Sequence, residues 1–369
     1  MRLLVDLHIF DEDDTEGITT YLKGLYSAVI RLSSPIELYF VAHNTEKLKK
    51  IFGNHPNIRY IAYKNTNKYY RLAIDLPHII KCNNIDVAHF QYISPLRKCC
   101  KEIITTHDIL FKDFPQYFPF SYRLSKGILF KLAAQRADLL FTVSEYSRNT
   151  ISNHYGINPN KIHVTPNAVS EDFFMATTVQ LSKIKQRYCF DKYILYVSRF
   201  EPRKNHINLA KAYVNLRLWE QEIKLVFVGK ETIVTKEYHA YYNSLPHEMK
   251  KNIIHLPYLP FDELLAIYKG CNLFVYPSIA EGFGIPAIEA AAAGRPCLCS
   301  NNTAMSDFYF FGDGLFNPND IKELEQKIQV FFEGLFKPDT HRIQTIVKEK
   351  YQWDRVADHF IKTMQTQLQ

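Results

Sequence analysis

The chain has 369 residues, 45 Lys and Arg against 38 Asp and Glu, a formal net charge of +7, and 47% apolar residues. That length exceeds one ordinary core and suits two domains. The mild positive bias fits phosphorylated ligands or an anionic membrane face and is too weak to argue for nucleic acid, and no apolar run of about 18 residues offers a transmembrane helix.

The chain opens on MRLLVDLHIF, whose apolar part contains Asp6 and lacks a small-residue cleavage site. We expect a strand there rather than a signal peptide. A helical stretch follows from about Gly17 to Leu32. Then come ELYFVAH and a short helix, IRYIAY and another helix, DVAHFQY, EIITTHD, a long helical segment around Ser121 to Arg136, DLLFTVS, a helix opening at Ser144, and HVTPN. Near-continuous apolar strands separated by helices imply a parallel sheet covered on both faces. The alternation pauses at about 168–191 and restarts with YILYVSRF, KLVFVGK, NIIHLPYL, LFVYPS and PCLCSN. The expected organisation is α/β: a doubly wound domain over 1–172, a second over 173–352, and a helical tail over 353–369 that could reach back to the first. Two such domains facing each other leave a cleft, with ligands at the carboxyl ends of the strands.

The seven cysteines are Cys82, Cys99, Cys100, Cys189, Cys271, Cys297 and Cys299. Their number is odd and their spacing fits no zinc pattern, so reduced thiols in a cytoplasmic protein are expected.

The most informative stretch is EGFGIPAIE, residues 281–289, between the strand LFVYPS and the helical AAAAGRP. Pro286 suits a first helical turn, and Gly294 followed by Pro296 marks the helix end. Glu281, Gly282, Phe283 and Gly284 therefore form a tight turn over a helix N-terminus. Glycines admit a ligand close to the backbone, and the helix N-terminus favours an anion. Carboxylates repel phosphate but accept from hydroxyl groups. Donor N–H groups beside Glu281 and Glu289 fit a molecule carrying phosphates and many hydroxyls, a nucleotide sugar. Gly282-x-Gly284-x-x-Ala287 also matches the dinucleotide fingerprint of dehydrogenases. That fingerprint belongs at the first strand with an acidic residue about 20 positions on, and here position 302 is Asn.

In YVSRFEPRKNH, Arg199 and Lys204 follow a strand directly, a natural diphosphate clamp or else a solvated basic loop. In TTHDILFKDFP, His107 and Asp108 stand at a strand end, facing a sugar hydroxyl or merely fixing a turn. Gly17 and Ile18 open a helix after the first strand, another point of close approach. Ser144 reads as an N-cap. DEDD, residues 11–14, reads as a solvated acidic loop, so no metal is expected. The stretch YRLSKGILFKLAAQRAD, 122–138, mixes four cations with apolar residues at helical spacing. It could meet a membrane surface and a lipid-linked acceptor, or pack as an ordinary helix.

Together these segments resemble the retaining glycosyltransferases of family 4, the group 1 enzymes of the GT-B fold. The likeness is strongest over about 190–320, in LYVSRFEPRKN, LVFVGK, FDELLAIYKGCNLFVYPS, EGFGIPAIEAAAAGRPCLCSN and GLFNPND. It continues in the GI of EGI, ITTHD, ADLLFTVSEYSR and KIHVTPNAV. The resemblance implies that Arg199 and Lys204 bind the donor diphosphate and that Glu281 contacts donor-sugar hydroxyls. Gly282, Phe283, Gly284 and Ile285 would lie alongside, with Glu289 on the ribose. His107 would sit against the transferred sugar and Gly17 near the phosphates. It implies a hexose donor such as GDP-mannose or a UDP-sugar, a glycan or lipid-linked acceptor, no metal and no further cofactor. The setting would be cytoplasmic, with peripheral membrane contact and a role in surface polysaccharide synthesis. Ala168 and Pro257 stand where the pattern more often has glycine. The alternatives are a sugar-nucleotide epimerase or phosphorylase of related fold, and an inactive binding paralogue.

Overall fold

The computed structural model describes residues 1–12, 17–32, 35–175, 181–188 and 190–368. Asp13 and Asp14 of the acidic loop, Cys189, and 176–180 of the expected linker lie outside the described residues. The chain divides into two units, Met1–Ala168 with Trp353–Gln369, and Val169–Gln352.

The first unit is built on seven strands: β1 (Arg2–Asp6), β2 (Glu37–Ala42), β3 (Ile58–Ala62), β4 (Val87–Gln91), β5 (Lys101–Thr105), β6 (Leu139–Thr142) and β7 (Ile162–Val164). They pair in the order β3-β2-β1-β4-β5-β6-β7, with every pairing parallel. Leu3, Leu4 and Val5 are fully buried in succession, which requires cover on both faces of the sheet. On one face Leu4, Tyr39, Ala88, Phe90, Ile104 and Leu140 join a core that takes Phe130 and Ala134 from the helix α2 (Phe120–Arg136). The helix α1 (Gly17–Arg31) packs against the chain's last helix, Trp353–Gln367, through Tyr21 on Trp353 and Tyr26 on Phe360. Arg31 also pairs with Asp354 across this contact.

The second unit carries β8 (Lys192–Val197), β9 (Ile223–Val228), β10 (Ile253–Leu256), β11 (Leu273–Tyr276), β12 (Cys297–Ser300) and β13 (Leu315–Phe316). Their order is β10-β9-β8-β11-β12-β13, again all parallel. Its core is rich in fully buried tyrosines. Burying a phenol demands a partner for its hydroxyl, and each one here has an acceptor. Tyr193 donates to Ile267 O, Tyr213 to Ile223 O and Tyr196 to Lys204 O, each at 2.7 Å. Tyr268 and Tyr276 donate to the two glutamates of EGFGIPAIE. The tyrosines thus tie the sheet to the turns at its edge.

Two local expectations are corrected. The first strand ends at Asp6, not Phe10, and His8–Asp11 is a 3₁₀ turn. Asp6 Oδ1 captures both the His8 N–H at 3.2 Å and His8 Nδ1 at 2.9 Å, which bends the chain out of the sheet. The two-residue β13 within GLFNPND extends the second sheet by a strand too short to leave a periodic signal.

Gly24 of α1 gives a test of the helix contact. A Cβ there would overlap the Trp353 indole. On an open helix Gly→Ala stabilises by about 1 kcal/mol. Here overpacking reverses the sign, and Gly24→Ala should cost about 1–3 kcal/mol in urea unfolding. A stabilised Gly24→Ala chain would show that the last helix does not sit on α1.

Candidate functional site

In the second unit the site grows from two strand ends. β8 ends at Val197, and Phe200 N donates to Lys230 O at 3.0 Å, holding the chain beside the exit of β9. Pro202–Lys204 makes one 3₁₀ turn, and Asn205, in the left-handed region at φ 60°, opens the helix α3 (His206–Asn215). Asn205 Nδ2 donates to Pro277 O at 3.1 Å and Pro318 O at 2.8 Å, fixing this turn beside the end of β11. β11 ends at Tyr276, and the chain passes through Glu281 to Gly284 at φ 108°, a conformation L side chains resist. The helix α4 (Ile285–Ala292) follows, with Pro286 in its first turn. Phe283 anchors the loop against Phe308 and Tyr351.

These turns assemble an alternating string of charges. Glu281 Oε1 accepts from Lys204 Nζ at 2.5 Å and from the Tyr276 hydroxyl at 2.7 Å, and Oε2 accepts from Arg203 Nη1 at 3.0 Å. Arg203 Nη2 reaches Glu201 Oε2 at 2.9 Å, and Arg199 Nε reaches Glu201 Oε1 at 3.2 Å. Lys204 is 8% exposed and Glu281 7%, whereas the Arg199 side chain is 40% exposed. Burial opposes ionisation of Glu281, but Lys204 and Arg203 overcome it and hold its carboxyl at about 2. Burial and the neighbouring Arg203 draw the Lys204 ammonium down, against the pull of Glu281 and Glu201. The Glu281 N–H donates to Thr303 Oγ1 at 2.9 Å. Thr303, a β-branched residue at φ 52°, is strained in making that contact.

Glu289, on α4, lies apart from this string. It accepts from the Tyr268 hydroxyl at 2.8 Å. Burial pushes its carboxyl up to about 7, with the Tyr268 bond only partly opposing.

In the first unit, His107 follows β5 by two residues. Its Nε2 meets Gln91 Oε1 at 2.8 Å, so the ring proton sits on Nε2. Gln91 Nε2 lies 3.1 Å from His89 Nε2, and His89 Nδ1 lies 2.5 Å from the Tyr26 hydroxyl. Burial drives both imidazoles down to about 3, so both are neutral at physiological pH. Tyr92, at φ 62°, follows Gln91 directly, and its ring packs 5.5 Å from His107. Gly17 opens α1, and among the described residues nothing lies within 4 Å of a Cβ added there.

The structure therefore brings Lys204 and Glu281 into direct contact. Arg199 connects to them through Glu201 and Arg203. Gly282, Phe283, Gly284 and Ile285 lie at the adjoining turn, and Glu289 forms a separate pair with Tyr268. His107 and Gly17 belong to the first unit. Lys204, expected in a diphosphate clamp with Arg199, is paired with Glu281. Sequence reading missed Arg203, Glu201, Tyr276, Tyr268, Thr303 and Gln91. Arg203 and Glu201 lay inside the motif EPRKN, where adjacent unlike charges were a usable signal. The tyrosines and Thr303 carried none. Asp11 caps a turn, accepting from the His43 and Asn44 N–H groups at 2.9 and 2.7 Å. Among the described residues no three His, Cys, Asp or Glu side chains gather to hold a metal ion.

Comparison with known proteins bears on the same residues. The family model "Glycosyl transferases group 1" matches 181–362, and "Glycosyltransferase Family 4" matches 15–173. An O-antigen chain mannosyltransferase B of Escherichia coli is 28% identical over 237 residues, 62% of this chain and 60% of that protein. The N-acetylgalactosamine-N,N'-diacetylbacillosaminyl-diphospho-undecaprenol 4-alpha-N-acetylgalactosaminyltransferase of Campylobacter jejuni is 27% identical, over 52% of this chain and 49% of its own. The chain thus spans 49 to 60% of the length of these relatives. Among solved structures, Anabaena HepE in complex with UDP and glucose superposes with a TM-score of 0.75 at 16% identity, covering 99% of this chain and 100% of that one. That likeness fixes the fold as GT-B.

The raised Glu289 carboxyl generates a pH prediction. The folded chain holds its proton up to about 7, while the unfolded chain releases it near 4.5. The folded state therefore loses stability from this group as pH rises from 4.5 through about 7. Glu289→Gln stays neutral and still accepts from Tyr268. Its melting temperature should match wild type near pH 4 and exceed it by a growing margin up to about pH 8. A margin independent of pH would mean that Glu289 ionises normally.

Proposed function

The chain belongs to the group 1 glycosyl transferases of the GT-B fold, and on that premise we propose that it transfers a hexose from a nucleoside-diphosphate sugar to a glycan or lipid-linked acceptor, with retention of configuration, in surface polysaccharide synthesis. The observation that carries this reading is the string Arg199–Glu201–Arg203–Glu281–Lys204 at the carboxyl ends of β8 and β11. Three cations face two carboxylates there, so the string has one positive charge to offer a diphosphate. Arg199, the most exposed, meets the diphosphate first, and its planar guanidinium suits bidentate phosphate contact. Lys204 supports from behind, and Glu281 turns toward donor-sugar hydroxyls. The N–H groups at the start of α4 favour the same anion. Glu289 accepts from the ribose, and His107 meets the transferred sugar.

The reaction breaks the bond between the anomeric carbon and the diphosphate oxygen. Positive charge grows on the sugar and negative charge on the leaving diphosphate, which the fixed cations stabilise without reorganising. The diphosphate takes the acceptor's proton on the face it leaves, and the acceptor oxygen bonds to the anomeric carbon on that face, giving retention. No metal is needed where Arg199 and Lys204 supply the charge. The mannosyltransferase relative supports mannose as the transferred sugar, so GDP-mannose is our first donor, and the UDP complex of HepE supports UDP-sugars second.

Melting the protein with GDP, UDP, ADP or NAD, each with and without chelator, tests this reading. A ligand at 100 times its Kd stabilises by about 2.7 kcal/mol. One nucleoside diphosphate should raise the melting temperature with chelator present. Stabilisation by NAD alone, or only with a metal, overturns the proposal.

The two cations should also separate by mutation. Arg199→Ala should slow transfer by roughly 10²-fold with the melting temperature nearly unchanged. Lys204→Ala strands a buried carboxylate and should also cost about 3–5 kcal/mol of stability. An Arg199→Ala enzyme of full activity would remove Arg199 from the site.

A further inference from the structure

We propose that the carboxyl end of β1 is a sugar-binding subsite, at which Asp6, His8 and Arg71 hold two neighbouring hydroxyl groups of the acceptor glycan. The proposal rests on the transferase reading only in taking that sugar to be the acceptor's.

The first observation is a buried carboxylate engaged through one oxygen only. Asp6 ends β1, and its side chain is 3% exposed. Oδ1 accepts from the His8 N–H, from His8 Nδ1 and, at 2.7 Å, from the Tyr63 hydroxyl. Among the described residues Oδ2 accepts no hydrogen bond, and Arg71 Nε stands 4.0 Å from it. Burial opposes ionisation of Asp6, but His8 and Arg71 hold its carboxyl well below the usual range. A charged oxygen is therefore left with its lone pairs open.

A guanidinium without hydrogen bonds is the second observation. The Arg71 side chain is 13% exposed and lies over the Tyr63 ring at 5.7 Å. Among the described residues it donates to no acceptor, and its Nε is buried. An enclosed donor left unpaired is costly. Nor is Arg71 loosely held. Its N–H donates to Asn67 O at 2.9 Å, and it opens a π-helical turn, Arg71–Asp75. Asp75 closes that turn and accepts from the Lys64 and Asn65 N–H groups at 3.0 and 3.3 Å. Such turns are rare and gather at functional sites. A purely structural pair would close to hydrogen-bond distance, and here the backbone holds the two charges apart.

The third observation is place. The strand order of the first sheet reverses between β1 and β4, and open parallel sheets take ligands at the carboxyl ends beside such a reversal. His8 gives the cluster its access, with a side chain 31% exposed. Asp6 engages the Nδ1 proton, which leaves Nε2 unpartnered among the described residues. Chemistry then selects the occupant. A carboxylate only accepts, a guanidinium only donates, and a hydroxyl does both. Two hydroxyls on adjacent carbons answer the pair together. One donates to Asp6 Oδ2, and the other accepts from Arg71 and donates to His8 Nε2. The charges of Asp6 and Arg71 cancel, so a phosphate gains no net attraction there and meets a carboxylate at close range.

The test is saturation-transfer NMR of the full chain, without nucleotide, with methyl α-mannoside, methyl α-glucoside and methyl α-galactoside. One of these hexosides should bind. Arg71→Lys keeps the charge beside Asp6 and gives up the planar fork. His8→Asn keeps a donor for Asp6 and loses Nε2. Each should weaken hexoside binding roughly tenfold while leaving the response of the melting temperature to nucleoside diphosphates unchanged. Among mono-deoxy forms of the bound hexoside, two lacking hydroxyls on neighbouring carbons should bind wild type weakly. The one missing the hydroxyl that Arg71 holds should bind wild type and Arg71→Lys alike, because the contact is absent from both. Failure of all three hexosides to bind, unchanged binding in both variants, or equal binding of every mono-deoxy form overturns the proposal. So do variants that weaken only nucleotide-sugar binding, which would give the two hydroxyls to the donor. None of these failures touches the transferase reading, which stands on the nucleotide melts.

Discussion

A buried carboxylate that stays charged is the constraint on which the second unit depends. Glu281 cannot remain ionised at 7% exposure without compensation, and three donors supply it. The donors come from two parts of the chain far apart in sequence. Lys204 and Arg203 lie on the turn after β8, and Tyr276 closes β11. Satisfying one carboxylate therefore fixes the relative positions of two strand ends and the helix that follows each. Thr303, at φ 52°, adds its hydroxyl as acceptor of the Glu281 N–H and so ties the same residue to the chain after β12.

The consequence for chemistry is that the site is ordered before any ligand arrives. Fixed charges stabilise a developing anion without first turning to meet it. Arg199 is the member of the string that keeps substantial exposure, so the charged surface a ligand first meets is a guanidinium backed by buried pairs. A bare cluster of three cations would repel itself. Interleaving Glu201 and Glu281 lets Arg199, Arg203 and Lys204 sit together while a net positive charge is retained.

The fold was legible because burial on both sheet faces forces uninterrupted apolar strands. LLVD, YILYV and LFVY announce themselves without periodicity. The strand ending at Asp6 was drawn too long because LHIF is equally apolar, and what stops it is a side-chain capture of His8. The site was legible to the extent that its chemistry is carried by charge and glycine. Gly284 at φ 108° and Pro286 left marks that only one backbone path explains. The partners that set the charge states were not legible. Tyr268 and Tyr276 are ordinary strand and helix residues in sequence, and their value lies in where folding puts their hydroxyls. Likewise Gln91 is one residue of an apolar strand until β4 and β5 pair, which sets it against His107.

The two units solve the same problem in opposite ways. In the second, burial is answered with charge, and Glu281 is held ionised by cations. Around His107 in the first, burial is answered with neutrality. His89 and His107 are kept uncharged, with Tyr26, Thr105 and Gln91 against the His89 nitrogens and Gln91 against His107 Nε2. A neutral imidazole with its proton fixed on Nε2 by Gln91 presents Nδ1 as an acceptor. It can take a hydrogen bond from a hydroxyl and adds no charge to its buried surroundings. Protonating Nδ1 would remove that acceptor and bury a charge, so burial and the Gln91 bond together keep the ring a hydrogen-bond acceptor rather than a cation.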